Sequence, residues 1–430
     1  ERYQDMIRYE GFKGTIPEVY QNPEQYGAGT DWFALLTETA PIQNYDIRIS
    51  SSGKNSTSSV IAGYQDQQGV VINTGTKLYS LRMNQDYKIF DNRLNIGFNL
   101  APSYRLDHNN RLADGIQGIV QKTSEASPLI APYDENGNLV KFVSSPGMVS
   151  YINPLARYTE TIDDYITTRI LGNAYLNYRI LDGLYFKGMF GVDKGAENRQ
   201  YFSPALLSGN DIATGTSSSV TNYSYTTEAN LNYSKQWKDH SLDVLAGYSY
   251  QSFSQKSNSV EGSNFASEDV PYLNVAASIT GGSSNAAAYT LLSYLGRINY
   301  TFKDRYLFSA SMRRDGSSRF GTNQKYGSFP SVSAGWIISD ESFLQAWSNT
   351  LSLLKVRASY GVTGNNDIGN YTHVSRLGGS DYVIGGGLAP GTTITALGNT
   401  NLAWERSKQF DIGLDLSLFQ DRLFFTYDFY

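Results

Sequence analysis

The stretch QFDIGLDLSLFQDRLFFTYDFY, residues 409–430, alternates apolar and polar side chains on both sides of a short turn. Every second residue from Phe410 to Leu418 is apolar, and successive residues of a strand point to opposite sides. Gln420-Asp421-Arg422 interrupts the pattern as a tight turn, and the alternation resumes at Leu423. The pattern predicts a β-hairpin with one apolar and one polar face. Taken alone, it fits a half-buried sheet of a soluble protein equally well.

The composition of the 430 residues narrows the class of protein. Aromatic residues make up 13% of the chain, which suits strands and the aromatic belts of membrane barrels. The absence of Cys excludes thiol chemistry and Cys-zinc sites, and the net charge of −5 gives no nucleic-acid footprint. No run of about 18 apolar residues occurs, which excludes helical membrane spans. The residues that follow Glu1 do not have the pattern expected of a signal peptide.

The same two-residue period recurs in about fourteen segments, most of them roughly 9–16 residues long. Within these segments the alternation is clear, for example, over 94–106, 306–312 and 354–360. Strands of soluble proteins average about 5–6 residues, whereas a tilted strand that crosses a membrane needs about 9–11. The segment lengths therefore favour a membrane protein.

Connections of two unequal lengths separate the segments. Short turns are predicted at 91–93, 182–183, 238–239, 303–305 and 420–422. Long connections are predicted at about 107–164, 204–218, 256–287, 316–325 and 363–402. Outer-membrane barrels sort their loops in this way, with short periplasmic turns and long extracellular loops. The sequence therefore predicts an all-β fold, a transmembrane antiparallel β-barrel, with a brief periplasmic helix at 340–350 in place of one short turn.

Charged side chains decide which face meets lipid. In the alternating segments they share the register of Ser, Gly and Asn, opposite to Leu, Ile and Tyr. An Arg or Lys that faces lipid at the midplane costs about 2–4 kcal/mol, so several together would rival the stability of a typical domain, about 5–15 kcal/mol. The polar register is therefore predicted to face a lumen. Its charged members are Arg105, Asp243, Arg297, Lys355, Arg357, Asp411 and Asp415.

Five stretches resemble one known family. They are the segment 29–84 beginning GTDWFALLTETA, YLGRINYTFKDRYLFSASMRRDGSSRFG (294–321), FPSVSAGWIISDESFL (329–344), LSLLKVRASYGVTGNNDIGNY (351–371) and NLAWERSKQFDIGLDLSLFQDRL (401–423). They resemble the SusC/RagA family of TonB-dependent outer-membrane transporters of Bacteroidetes, and they stand in the order of that family. The resemblance spans most of the chain, although the predicted loops carry little signature.

The resemblance implies a barrel of about 22 strands whose lumen is closed by a plug domain. It also implies a bacterial outer-membrane location, a SusD-like lipoprotein as a lid, and a TonB–ExbB–ExbD complex that supplies energy. The cargo would be a sizeable nutrient, an oligosaccharide or a peptide, and no cofactor is implied.

By the same resemblance, the chain is expected to be an internal stretch of a longer protein. Residues 1–42 are expected to form an extracellular loop, and residues 43–430 about fourteen strands of the barrel, the second to the fifteenth. The plug domain and the final strands are expected to lie outside this chain. Such a piece would leave two unpaired strand edges and could not close alone.

The segment RRDGSSRFG, 313–321, concentrates charge at the outer end of a predicted hairpin. Its Arg side chains could donate to hydroxyls or carboxylates of cargo near the mouth of the lumen. The alternative is an ion-pair and turn cluster that fixes the loop geometry. The alternation places the first Arg on the lumen register. The candidate residues are Arg313, Arg314, Asp315 and Arg319.

Other motifs do not indicate catalysis or metal binding. DENGN at 134–138 fits an Asn-Gly hairpin turn better than a calcium loop, since no Glu follows at the twelfth position. No metal cluster is predicted, because the three His lie in three separate connections: His108, His240 and His373. The paired acids that we expect to be solvated in loops are at 163–164, 268–269 and 340–341.

The leading hypothesis is TonB-dependent import of an oligosaccharide or a peptide, not an enzymatic activity. A first alternative is a TonB-dependent receptor for a metal chelate or a cobalamin-like ligand, and a neighbouring gene for a SusD-like lipoprotein would argue against it. A second alternative is a soluble β-sandwich adhesin or glycan-binding module. Release of the protein from membranes by a carbonate wash would favour that last class.

Overall fold

The computed structural model describes residues 22–109, 118–143 and 151–430. The described strands, in chain order, are β1 (Ile42–Ser52), β2 (Ser56–Gln68), β3 (Gly75–Ile89), β4 (Leu94–His108), β5 (Ile162–Leu181), β6 (Leu184–Ser203), β7 (Thr214–Trp237), β8 (His240–Phe265), β9 (Ala276–Phe302), β10 (Tyr306–Ser317), β11 (Tyr326–Ile337), β12 (Leu351–Asn365), β13 (Arg376–Gly379), β14 (Tyr382–Ile384), β15 (Gly387–Ala389), β16 (Thr392–Ala396), β17 (Glu405–Leu418) and β18 (Leu423–Phe429). Fourteen of these form one antiparallel sheet in the order β1 to β12, β17, β18. The remaining four form two small hairpins, β13 with β16 and β14 with β15.

The helices of the described residues are short. They are α1 (Trp32–Leu36), α2 (Ile119–Glu125) and α3 (Pro154–Glu160), with 3-10 turns at Pro23–Tyr26, Ala205–Leu207, Leu273–Val275, Ile338–Asp340 and Ser342–Trp347. In this part of the chain no helix has the length and apolar character needed to span a bilayer. The helical segment predicted at 340–350 is a pair of consecutive 3-10 turns.

The alternation of 409–430 becomes a hairpin whose register keeps its two faces apart. Leu414 pairs with Tyr427 and Asp415 pairs with Thr426, so apolar side chains meet apolar side chains across the ladder. The turn between the strands has three consecutive residues, 419–421, in the left-handed region with φ of 56°, 59° and 62°. A turn of this length fixes the register of the two strands. A slip of one residue would exchange the apolar and polar faces of one strand.

The apolar face of the large sheet is exposed. Ile47 is 68% exposed, Val332 54% and Phe308 53%. The other two sheets of the described residues are the small hairpins, so the apolar stripes do not meet a facing sheet as they would in a sandwich. Large exposed apolar surfaces mark contact with a membrane or a partner. A continuous apolar face over fourteen strands, within the described residues, is the surface that a bilayer would cover.

Two rows of aromatic rings cross the apolar face. Near the long connections, the four rings of the first row belong to β1–β4, with centroid separations of 6.3, 5.0 and 6.3 Å: Tyr45, Tyr64, Tyr79 and Tyr104. Near the short turns, a second row crosses β7–β11 and consists of Trp237, His240, Phe302, Tyr306 and Trp336. Aromatic girdles at the two bilayer interfaces have this arrangement.

Two of the predicted loops are shorter than expected. The 256–287 connection shrinks to 266–275, and the 204–218 connection shrinks to 204–213, because the strands continue to pair. β7, β8 and β9 are 24, 26 and 27 residues long, far beyond the about 9–11 that cross a membrane. Their outer parts are rich in Ser, Asn and Gly on both faces. Beyond the bilayer both faces of a strand meet water, so the apolar period disappears while the backbone ladder persists.

The buried apolar clusters of the described residues lie mainly in the long connections. The first consists of Trp32, Leu36, Ala126, Val143, Leu155 and Tyr158. It packs the described part of the predicted loop 1–42 against the 109–161 connection. The second cluster consists of Phe320, Phe329 and Trp404, and it joins the 318–325 and 366–404 connections to β11. Residues 1–21 of the predicted loop lie outside the described residues.

Candidate functional site

One face of the large sheet, here called the polar face, carries all seven residues that the alternation predicted for the lumen. The strand pairings link their positions: Arg357 lies opposite Gly413 and Gly335, Lys355 opposite Asp415, and Arg105 opposite Thr167. Cross-strand partners in an antiparallel ladder point to the same side. The seven residues therefore share a face with the Ser, Asn and Gly positions, as the register requires.

Arg357 holds together the last three strands of the sheet. Its Nε lies 3.2 Å from Asp415 Oδ2, its Nη1 3.4 Å from Asp411 Oδ1 and its Nη2 2.5 Å from Asp428 Oδ1. The planar guanidinium offers five donors, which suits contact with several carboxylates at once. The alternation predicted two of these three acids. Asp428 was not among the predicted residues, although the alternation of β18 places it on the same face, and the register of β17 against β18 brings it level with Gly413.

Glycine makes this arrangement possible. Arg357 on β12 crosses its direct partner Gly413 on β17 to reach Asp428 on β18. A Cβ added at Gly413 would lie 2.6 Å from Arg357 Nη1 and 2.7 Å from its Nε. Contacts that short essentially never occur, so the guanidinium can take this position only because Gly413 has no side chain.

Gly413→Ala should therefore lower the stability of the folded barrel, because the new methyl group displaces the guanidinium from its carboxylates. Gly335→Ala is the matched control, since a Cβ there meets Leu307 Cδ1 at 3.4 Å and Lys355 Cε at 3.6 Å, which are ordinary contacts. Urea unfolding of the full-length protein in bilayers measures both. Equal midpoints for the two variants would contradict the crossing role of Gly413.

A second crossing of the same type lies at the other end of the sheet. Tyr175 on β5 reaches over its partner Gly97 on β4 and donates its hydroxyl hydrogen bond to Asp86 on β3. A Cβ at Gly97 would lie 2.8 Å from Asp86 Oδ1. None of these residues was predicted from the sequence to belong to a site. A glycine among the polar positions of a strand is the sequence signal for such a crossing. This signal is informative only once the pairing of the strands is known.

Arg313 and Asp315, two of the four candidates near the mouth, lie on the polar face of β10. Arg313 Nε lies 2.8 Å from both carboxylate oxygens of Asp315, and Arg313 Nη2 donates to Ser293 Oγ at 3.0 Å. Next to them is a cavity of about 330 Å³. Lys187, Glu228, Asn230, Asn232 and Ser249 are among its other lining residues.

The other two candidates, Arg314 and Arg319, are separated from that cavity. Arg314 points to the apolar face, where its guanidinium lies 5.1 Å from the centre of the Tyr326 ring. Arg319 lies in the 318–325 connection and binds the next loop: its Nε donates to Asn370 Oδ1 and its Nη1 to Asn366 O, each at 3.0 Å. These contacts of Arg319 hold the 318–325 connection against the next loop. They agree with the alternative that this segment fixes the loop geometry.

Asp163 is buried, which contradicts the expectation that the 163–164 pair is solvated. It is the second residue of β5, next to the long connection, with 2% of its surface exposed, and its Oδ1 lies 2.6 Å from Arg199 Nε on β6. The Arg199 guanidinium also lies between two rings, 5.3 Å from the centre of Tyr165 and 4.9 Å from that of Tyr201. The expectation was wrong because β5 starts at Ile162, earlier than the apolar pattern indicates.

Glu341, near the short turns, is also buried and contradicts the expectation that the paired acids are solvated. It accepts hydrogen bonds from Tyr306 Oη at 2.6 Å, Trp336 Nε1 at 3.0 Å and Arg305 Nη1 at 3.0 Å. These hydrogen bonds, that of Tyr306 first, hold the pKa of Glu341 below its ordinary value. Glu341 therefore fixes the 338–350 connection to the aromatic row of the apolar face.

The DENGN segment forms the predicted hairpin turn. Asp134 Oδ1 accepts from the backbone amides of Asn136 and Asn138 at 2.9 and 2.8 Å, and Gly137 has φ of 82°. These backbone hydrogen bonds lower the pKa of Asp134. Its carboxylate is thus occupied by the turn itself, as in an Asx turn.

A family profile described as "TonB dependent receptor-like, beta-barrel" matches residues 7–430. The chain belongs to this family. It is 33% identical to TonB-dependent receptor P3 of Formosa agariphila over 438 residues, which cover 99% of this chain and 43% of that protein. It is 28% identical to TonB-dependent receptor SusC of Bacteroides thetaiotaomicron, with 97% and 44% covered. The chain thus spans less than half the length of these relatives.

Solved structures agree with the family assignment. The structure of the RagAB peptide transporter matches with a TM-score of 0.80 and 25% identity, over 100% of this chain and 49% of that chain. BauA, the ferric preacinetobactin receptor from Acinetobacter baumannii, matches with a TM-score of 0.50 and 11% identity, which shows the fold alone. The predicted SusC/RagA resemblance, the partial antiparallel barrel and the outer-membrane location are confirmed. For a barrel of this kind we expect the long connections to be extracellular and the short turns periplasmic.

Proposed function

We propose that this chain forms a large part of the barrel wall of a TonB-dependent importer of the SusC/RagA type. The single observation that carries the proposal is the division of the sheet into two faces. The apolar face is exposed and bordered by aromatic rows, while the polar face carries charges arranged as compensated groups, such as Arg357 with its three carboxylates. We infer that the polar face lines the lumen.

The remaining parts of the importer follow from the same proposal. A plug domain would fill the lumen, a SusD-like lipoprotein would form a lid over the extracellular connections, and a TonB–ExbB–ExbD complex would supply energy. The family assignment and the similarity to SusC and to the RagAB peptide transporter support these partners. The cargo would be an oligosaccharide or a peptide. The polar-face groups described above bind one another, and we assign them no enzymatic role.

Growth of a deletion strain tests the proposed function. The strain is grown on single oligosaccharides and on peptides as the sole nutrient, with and without the restored full-length gene. We expect growth to fail on one of these cargo classes and to return with the gene. A strain without TonB should show the same failure. Normal growth on both classes, with a defect only when iron or cobalamin is limiting, would instead favour a receptor for a metal chelate or a cobalamin-like ligand.

A further inference from the structure

The polar face continues above the membrane on β7, β8 and β9, and it carries an aromatic pair there. Phe253 on β8 and Tyr289 on β9 are direct cross-strand partners. Their ring centroids are 5.2 Å apart with an interplanar angle of 29°, and both side chains are half-buried. The pair lies on the same face as Ser249 and Ser293, four residues further along each strand toward the membrane.

Neutral polar side chains lie beside the pair on β7 and β8. Gln251 and Gln255 flank Phe253 on the same face of β8, and Gln255 Nε2 donates to Asn222 Oδ1 of β7 at 2.8 Å. Amide side chains offer both donors and acceptors, so they can bind a hydroxyl group that donates a hydrogen bond or one that accepts it. A ring face beside a few convergent polar groups is the usual composition of a small-molecule subsite.

Contacts from the extracellular connections fix the position of Tyr289. The Arg319 guanidinium lies 4.2 Å from the centre of its ring, and Arg319 is itself held by Asn366 and Asn370. Next to it on β9, the amide of Ala288 donates to the hydroxyl of Tyr371 at 3.0 Å. The fixed Tyr289 ring in turn supports the Phe253 ring stacked beside it, and a supported ring stacks against a ligand with little further loss of side-chain freedom.

The aromatic pair also lies on a path toward the cavity next to Arg313. Ser249 and Ser293 line that cavity, and the four residues that separate them from Phe253 and Tyr289 span about 13 Å of strand. A molecule that moves inward along the polar face therefore meets the ring pair first and the charged cavity second.

We propose that Phe253 and Tyr289 form a stacking subsite for a neutral sugar ring of the cargo. The C–H face of a sugar ring is apolar and complements an aromatic face, while its rim of hydroxyls meets Gln251, Gln255 and Asn222. These three amide neighbours carry no charge that would pair with the ionised ends of a peptide, and the Arg319 guanidinium on the Tyr289 ring is already paired with Asp367 at 3.3 Å, so a neutral saccharide is favoured. This inference rests on the proposed import function, and it selects one of the two proposed cargo classes.

Calorimetric titration of the purified full-length protein tests the subsite. The probes are the neutral hexasaccharides maltohexaose, cellohexaose, xylohexaose and mannohexaose, with hexa-alanine as the peptide. At least one hexasaccharide should bind. Phe253→Leu keeps an apolar side chain but removes the ring, and should weaken that binding about tenfold or more, while Phe253→Tyr should keep it. Tyr223→Leu, at the same height on the apolar face, should leave it unchanged.

Several outcomes would overturn the subsite. Unchanged affinity in Phe253→Leu would do so, as would the failure of all four hexasaccharides to bind. Binding of hexa-alanine that depends on Phe253 would assign the pair to peptides and remove the sugar assignment. None of these results affects the growth phenotype of the deletion strain, so failure of the subsite and failure of the import function are distinguishable.

Discussion

Val332→Arg should lower the free energy of unfolding by about 2–4 kcal/mol, because the new charge would face the hydrocarbon of the bilayer. Val332 lies between Ala310 and Tyr360 on the apolar face and is 54% exposed. Along β11 it stands between the aromatic residues Tyr326 and Trp336, which puts it well inside the apolar band. Its backbone pairing is regular, so the substitution changes the facing side chain and little else.

Ser331→Arg is the matched control for this prediction. It introduces the same residue at the next position of the same strand, but on the polar face, opposite Ser311 and Gly361. We expect a change of less than about 1 kcal/mol there, as for most surface substitutions. Urea unfolding of the full-length protein in lipid bilayers gives both values. Similar losses for the two variants would show that the two faces are not divided between lipid and lumen.

Arg199→Ala should lower the free energy of unfolding more than the loss of an exposed charge on the polar face does. It would leave the Asp163 carboxylate, 2% exposed, without its cation. Breaking a buried pair costs about 3–5 kcal/mol, and we expect about 2–3 kcal/mol here because a third of the Arg199 side chain is exposed to water. The two rings that sandwich the guanidinium lose contact area as well.

Two further variants separate this charge effect from simple loss of packing. Adding Asp163→Asn to Arg199→Ala should recover much of the stability, since no buried charge then remains. Arg169→Ala, on the same two strands, breaks the pair with Asp193, whose side chains are 56% and 37% exposed, and should cost less than about 1 kcal/mol. Equal losses in Arg199→Ala and Arg169→Ala, with no recovery in the double variant, would refute the buried-pair argument.

The sequence by itself determined the fold class and the facing of the side chains. A period of two needs no long-range information, because the geometry of a strand places alternate residues on opposite sides. The cost of a charge in hydrocarbon then predicts that the apolar face meets lipid. The seven residues predicted for the polar face all lie on it, and the hairpin at 409–430 pairs as its pattern indicates.

Prediction from the sequence failed where the apolar period stops. The outer parts of β8 and β9 carry Ser, Asn and Gly on both faces, so the pattern indicated a loop at 256–287 although the strands continue. Asp163 was misplaced for a related reason, since a charged residue beside a predicted loop gives no sign of burial. Both faces of a strand beyond the bilayer meet water, and the alternation that reveals a strand vanishes there.

Only the tertiary structure decided which side chains meet across the sheet. Arg357 reaches Asp428, and Tyr175 reaches Asp86, because the strand register places a glycine between each pair. The aromatic pair of Phe253 and Tyr289 likewise depends on the pairing of β8 with β9. Alternation assigns a residue to a face but says nothing about its neighbours on that face, because register is a relation between strands and is set by the turns and ladders that join them.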